Sequence, residues 1–133
     1  MQAKNQLKAK SIAKSFKHIW LLENESGRCE VEEYLLALPN QDLAKFIAVF
    51  ERVDADPNYR HPERFQIMDH PVFEFKIFKH RVLCFKLGNN FICCKAMKKR
   101  KDGHLRTTDD AIKSIKQTAK VFAEKGEYCD KSN

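Results

Sequence analysis

Apolar positions along this chain alternate between a spacing of two and a spacing near 3.6, and the switches mark its elements. Phe16–Leu22 reads as a first strand, broken by Asn24, Ser26 and Gly27. Glu30–Leu38 predicts a short helix stopped by Pro39. Asn40 is a good cap for a second helix, in which Leu43, Phe46, Ile47, Phe50 and Val53 share one face. After a loop over Asp54–Pro62, three strands follow. Val72–Phe78 puts Phe73, Phe75 and Ile77 on one side and Lys76 on the other; Arg81–Leu87 is mostly apolar; Phe91–Met97 is apolar on both faces and reads as central. Gly88-Asn89-Asn90 is a hairpin turn between the last two. A final helix spans about Thr108–Lys125, capped by Thr107 or Thr108, striped by Ile112, Ile115, Ala119 and Phe122, and ended by Gly126.

The predicted order is β-α-α-β-β-β-α. It is the pattern of an α+β domain, a small and mostly antiparallel sheet carrying an N-terminal helical hairpin and a C-terminal helix. Residues 1–133 read as one domain, with 1–15 a basic extension whose Lys4, Lys8, Lys10 and Lys14 are solvated, and 127–133 a frayed tail.

Composition adds a compartment and charge adds a partner. Hydrophobic residues make up 43% of the chain, ten of them Phe, enough for a core without covalent staples. No apolar run is long enough for a membrane span, and the Lys-rich start lacks the apolar stretch of a secretory signal. Five cysteines without a C-x-x-C pair read as reduced thiols of a cytoplasmic protein rather than a metal site or a disulfide framework. Asp54-Ala55-Asp56 lacks the glycine and closing glutamate of a calcium loop. Between Phe75 and Arg106, however, ten Lys or Arg face Asp102 alone, so this stretch carries +9 while the whole chain carries +7. Such a block repels itself, and a polyanionic ligand is the natural reason to keep it.

Several short motifs run in a recognisable order: Phe73-Glu74-Phe75-Lys76, Arg81-Val82-Leu83, the Gly88-Asn89-Asn90 turn, a strand ending in Met97-Lys98-Lys99, and a threonine opening the last helix. This arrangement resembles the RelE/HigB toxin superfamily, within the RelE/ParE group, and especially its phage-derived HigB branch. The resemblance covers Phe65–Lys125 by motif and Phe16–Val53 by element order alone. It implies a RelE-like fold and an mRNA interferase: a toxin of a toxin–antitoxin pair that cleaves mRNA in the ribosome without metal or cofactor and is neutralised by a cognate antitoxin.

By motif, the resemblance assigns catalytic roles to Lys76, Arg81, Lys98 and Lys99, with Arg81 gripping the scissile phosphate. His104 is the acid–base candidate in the loop that follows. His80 stands where the family has tyrosine and is placed to stack on a base. Lys79, Lys95, Arg100, Lys101 and Arg106 extend the RNA-binding surface. Metal-free cleavage uses the neighbouring 2′-OH as nucleophile, so the protein must move two protons and stabilise the phosphorane. An arginine fork and mobile lysines suit that task.

The same cations have a plainer explanation as solvated strand-edge charges that keep the sheet from aggregating. Lys76 replaces the family's arginine, and no tyrosine lies between Tyr59 and Tyr128. Two other functions therefore stay open: a non-catalytic nucleic-acid- or protein-binding module on this scaffold, degenerate or ParE-like, and a phage accessory protein. The toxin reading rests on one spatial expectation, that the cations of the later strands converge on one shared surface.

Overall fold

The computed structural model describes residues 7–11, 16–99 and 105–129, residues 11 and 105–108 by their backbone alone. Its strands are β1 (Lys8–Ser11), β2 (Ile19–Glu23), β3 (Phe65–Asp69), β4 (Val72–Ile77), β5 (His80–Leu87), β6 (Asn90–Lys98) and β7 (Glu127–Cys129). Its helices are α1 (Glu30–Leu36), α2 (Asn40–Ala55) and α3 (Leu105–Lys125). The strands form one sheet in the order β3-β4-β5-β6-β2-β1-β7. Pairing is antiparallel except between β2 and β6 and between β1 and β7.

The sheet is covered on both sides. On one face, Phe73, Phe75 and Ile77 of β4, Val82 and Cys84 of β5, and Phe91 and Cys93 of β6 pack under α1 and α2 with Val31, Leu35, Phe46 and Phe50. On the other, Val72, Leu83, Phe85 and Ile92 pack with Ala111, Ile115 and Phe122 of α3. The period-two alternation of β4 is thus divided between two cores. Aromatic rings dominate the first: Phe75 meets Phe50 at 4.7 Å and Phe65 at 4.5 Å between centroids. β6 is fourth of seven strands and buries residues toward both cores, which explains its apolar sequence.

A bulge decides where the cations of β6 point. Cys84 pairs with Cys93, but Leu83 pairs with Lys95, so Cys94 is the extra residue. The shift brings Lys95 opposite Leu83, which lies on the α3 side, while Ala96 returns to the helical-hairpin core.

Several boundaries differ from the sequence expectation. The strand expected from Phe16 is β2 and begins at Ile19, because the backbone N–H groups of Lys17 and His18 donate to the Asp54 carboxylate instead of to a strand. Pro39 occupies the cap position of α2, its carbonyl accepting from Asp42 and Leu43, and Asn40 is the first helical residue. β3 lies in a stretch to which the apolar pattern assigned no element. α3 opens at Leu105, ahead of the threonines.

Both ends also carry more structure than expected. The basic extension contains β1, and Lys10 is ion-paired with Glu32 at 2.7 Å and Glu23 at 3.8 Å. The tail contains β7, which pairs with β1. Asn90 accepts from the Trp20 indole at 3.2 Å and donates to the Tyr128 hydroxyl at 3.2 Å, tying this end to the β5–β6 turn.

Because Phe75 is fully buried between Phe50 and Phe65, Phe75→Ala should cost about 3–5 kcal/mol. Urea unfolding followed by circular dichroism measures this; a loss under about 1 kcal/mol would contradict the packing described.

Candidate nucleic-acid interface

Beyond the cover of α3, the outer ends of β4, β5 and β6 bring charges together. Lys76 lies directly opposite Arg81, and such like-charged cross-strand pairs destabilise an antiparallel ladder. Glu74, two residues back on β4, occupies the diagonal position and, when ionised, offsets part of that repulsion. Its Oε2 is 3.9 Å from Arg81 Nε, and both side chains are largely enclosed, at 9% and 16% exposure. Arg81 pairs on its other side with Met97, and Lys99 follows two residues on, just past the end of β6.

Arg81 is held firmly. Its Nη1 donates to the Phe78 carbonyl at 2.7 Å and to the His80 carbonyl at 3.0 Å. These bonds fix the guanidinium against the β4–β5 turn. The backbone of Lys99 closes the same end by donating to the Lys79 carbonyl at 2.6 Å.

Glu74 is the charged residue that the sheet buries among the described residues. Burial raises its pKa above the ordinary carboxylate value, while Arg81, Lys76 and Lys99 pull it back in that order. Desolvation wins, so the pocket resists an ionised carboxylate even beside three cations. With the acid neutral or charged, the group as a whole is cationic.

His80 points elsewhere. Its Nδ1 is 2.7 Å from the Tyr34 hydroxyl and its Nε2 is 3.5 Å from Asp42, on the side of α1 and α2. The Tyr34 and His80 rings meet edge to face at 5.7 Å, and burial pushes the Tyr34 phenol up. Lys98 pairs across the ladder with His80 and so shares that face. Lys79 is exposed in the β4–β5 turn.

The candidates named from the sequence are thus divided by the sheet. Lys76, Arg81, Lys95 and Lys99 lie on the α3 face; His80 and Lys98 lie on the helical-hairpin face. Arg100, Lys101 and His104 fall outside the described residues, as does the side chain of Arg106. Sequence reasoning overlooked Glu74 as a site residue, although an acid alternating with aromatics on a strand was a usable signal. It also overlooked Tyr34 and Asp42, which reach His80 from helices more than thirty residues away in the chain.

Among the described residues, no three His, Cys, Asp or Glu side chains are grouped as metal ligands, and no helix is long and apolar enough to cross a membrane. No family model matches this chain, and no curated protein matches it either.

The raised pKa of Glu74 has a consequence for stability. The folded chain holds the Glu74 proton more tightly than the unfolded chain does. Its ionisation therefore removes stability as pH climbs from the unfolded pKa through the raised folded one. Glu74→Gln should accordingly be more stable than wild type at neutral pH, and the gap should narrow as the medium is acidified. Urea melts of both proteins across that range give the answer; a gap that is constant or widens in acid would refute it.

Proposed function

We propose that this chain is a RelE/HigB-type toxin, a cytoplasmic endoribonuclease that cleaves mRNA on the ribosome by attack of a 2′-OH on the adjacent phosphate. The observation carrying this reading is the grouping of Lys76, Arg81 and Lys99 around the buried Glu74 on one face of the sheet.

In this scheme Arg81, its Nη1 already bonded to the turn carbonyls and its Nε facing Glu74, presents Nη2 to a non-bridging oxygen of the scissile phosphate and stabilises the phosphorane as charge builds on it. Glu74 acts beneath it as a positioning residue, holding the guanidinium through the 3.9 Å contact. Lys76 and Lys99 flank the arginine; one accepts the proton of the 2′-OH and the other donates a proton to the leaving 5′-oxygen, with His104 a further acid–base candidate from the sequence. Lys95 extends the grip along β6, and Lys79 extends it into the β4–β5 turn. An antitoxin with an acidic or amphipathic segment would neutralise the toxin by covering this face.

The second reading, a binding module without catalysis, is favoured by one observation. Arg81 already donates to two main-chain carbonyls and leans on Glu74, as a structural arginine would.

Induced expression separates the two. Wild type should arrest growth and leave truncated mRNA, and Arg81→Ala should do neither. Because Arg81 also supports the turn, the exposed Lys99 provides the cleaner variant: Lys99→Ala should fold normally and cleave about 10²-fold more slowly. Unimpaired growth with every protein, wild type included, would leave the binding module as the surviving reading.

A further inference from the structure

The β4–β5 turn contains a residue that neither the core nor the turn requires. Phe78 is 62% exposed, and its φ of 54° lies in the left-handed region. Bulky side chains are strained there, and a two-residue hairpin turn is normally given glycine or asparagine at such a position. An exposed aromatic ring held in a strained backbone points to recognition rather than packing.

The surroundings of the ring narrow what that is. Lys45 of α2 places its Nζ 5.7 Å from the ring centroid. Lys79 follows in the turn and is exposed, as Lys45 is. The carbonyl of Phe78 accepts from Arg81 at 2.7 Å, which ties the ring mechanically to the phosphate-binding cluster. The nearest acid identified on α2, Asp42, is turned toward His80. A π-face bordered by exposed cations suits a ligand that offers a flat aromatic surface and negative charge on one chain. An unpaired nucleotide is that ligand, whereas a duplex keeps its bases stacked within itself.

We propose that Phe78 and Lys45 form a stacking subsite for one unpaired base of a single-stranded polynucleotide. The base lies on the free face of the ring, and Lys45 pairs with the adjoining phosphate. The subsite rests on the reading of the Arg81 cluster as a phosphate-binding surface and extends that surface around the turn.

The test measures binding of fluorescein-labelled single-stranded RNA and DNA octamers of one sequence to wild type, Phe78→Gly and Phe78→Trp. Glycine relieves the left-handed strain, so Phe78→Gly should melt no lower than wild type yet bind both strands about 5- to 100-fold more weakly. Phe78→Trp should bind as tightly as wild type or more so. Wild-type binding that Phe78→Gly leaves unchanged would overturn the subsite while sparing the Arg81 cluster. Wild type that binds neither octamer would instead defeat the nucleic-acid reading itself. A fluorescein-labelled oligoglutamate octamer that binds wild type and is lost in Phe78→Gly, with RNA and DNA binding intact, would reassign the ring to protein recognition and overturn the proposal.

Discussion

Covering a sheet on both faces leaves few places for charge. α1 and α2 bury one side of β4, β5 and β6, and α3 buries the other, so cations can reach solvent only where that cover ends. At the β4–β5 turn three of them crowd a ladder that disfavours like charges side by side, and Glu74 sits on the diagonal as their counterweight. Everything proposed about function follows from that crowding. Without a reason to hold cations together, an exchange of Lys76 or Arg81 for a neutral residue would relieve the strain.

The strand pattern of β4 made most of the central fold legible. Phe73, Phe75 and Ile77 alternate with Lys76, and they fall on opposite sides of the sheet as a spacing of two dictates. The α2 stripe was equally readable, since Phe46, Phe50 and Val53 all end buried. What escaped was held by contacts distant in sequence. β1 and β7 are three or four residues long and exist by pairing with each other and with β2, so no local periodicity announces them. β3 has exposed Ile67 and Asp69 and gains its order from β4.

The site was partly legible for the same reason. Lys76 and Arg81 come from one hairpin, whose register follows from its short turn, and they lie together as expected. The bulge at Cys94 is invisible in the sequence, and it determines which face receives Lys95 and which receives Lys98. His80 fell to the opposite face because neighbours along a strand alternate, and Tyr34 and Asp42 engage it there. The two faces therefore divide the labour of this end of the molecule. One presents a cationic group over a buried carboxyl; the other clamps the turn to α1 and α2.

The central claim is that Lys76, Arg81 and Lys99 together neutralise the phosphates of a single strand. The salt dependence of RNA binding measures this directly, because each neutralised phosphate of a single strand contributes about −0.7 to the slope of log affinity against log salt. Three contacts predict a wild-type slope of about −2 or steeper, reduced by about 0.7 in Lys99→Ala. A flat dependence, or a slope that Lys99→Ala leaves unchanged, would contradict the account.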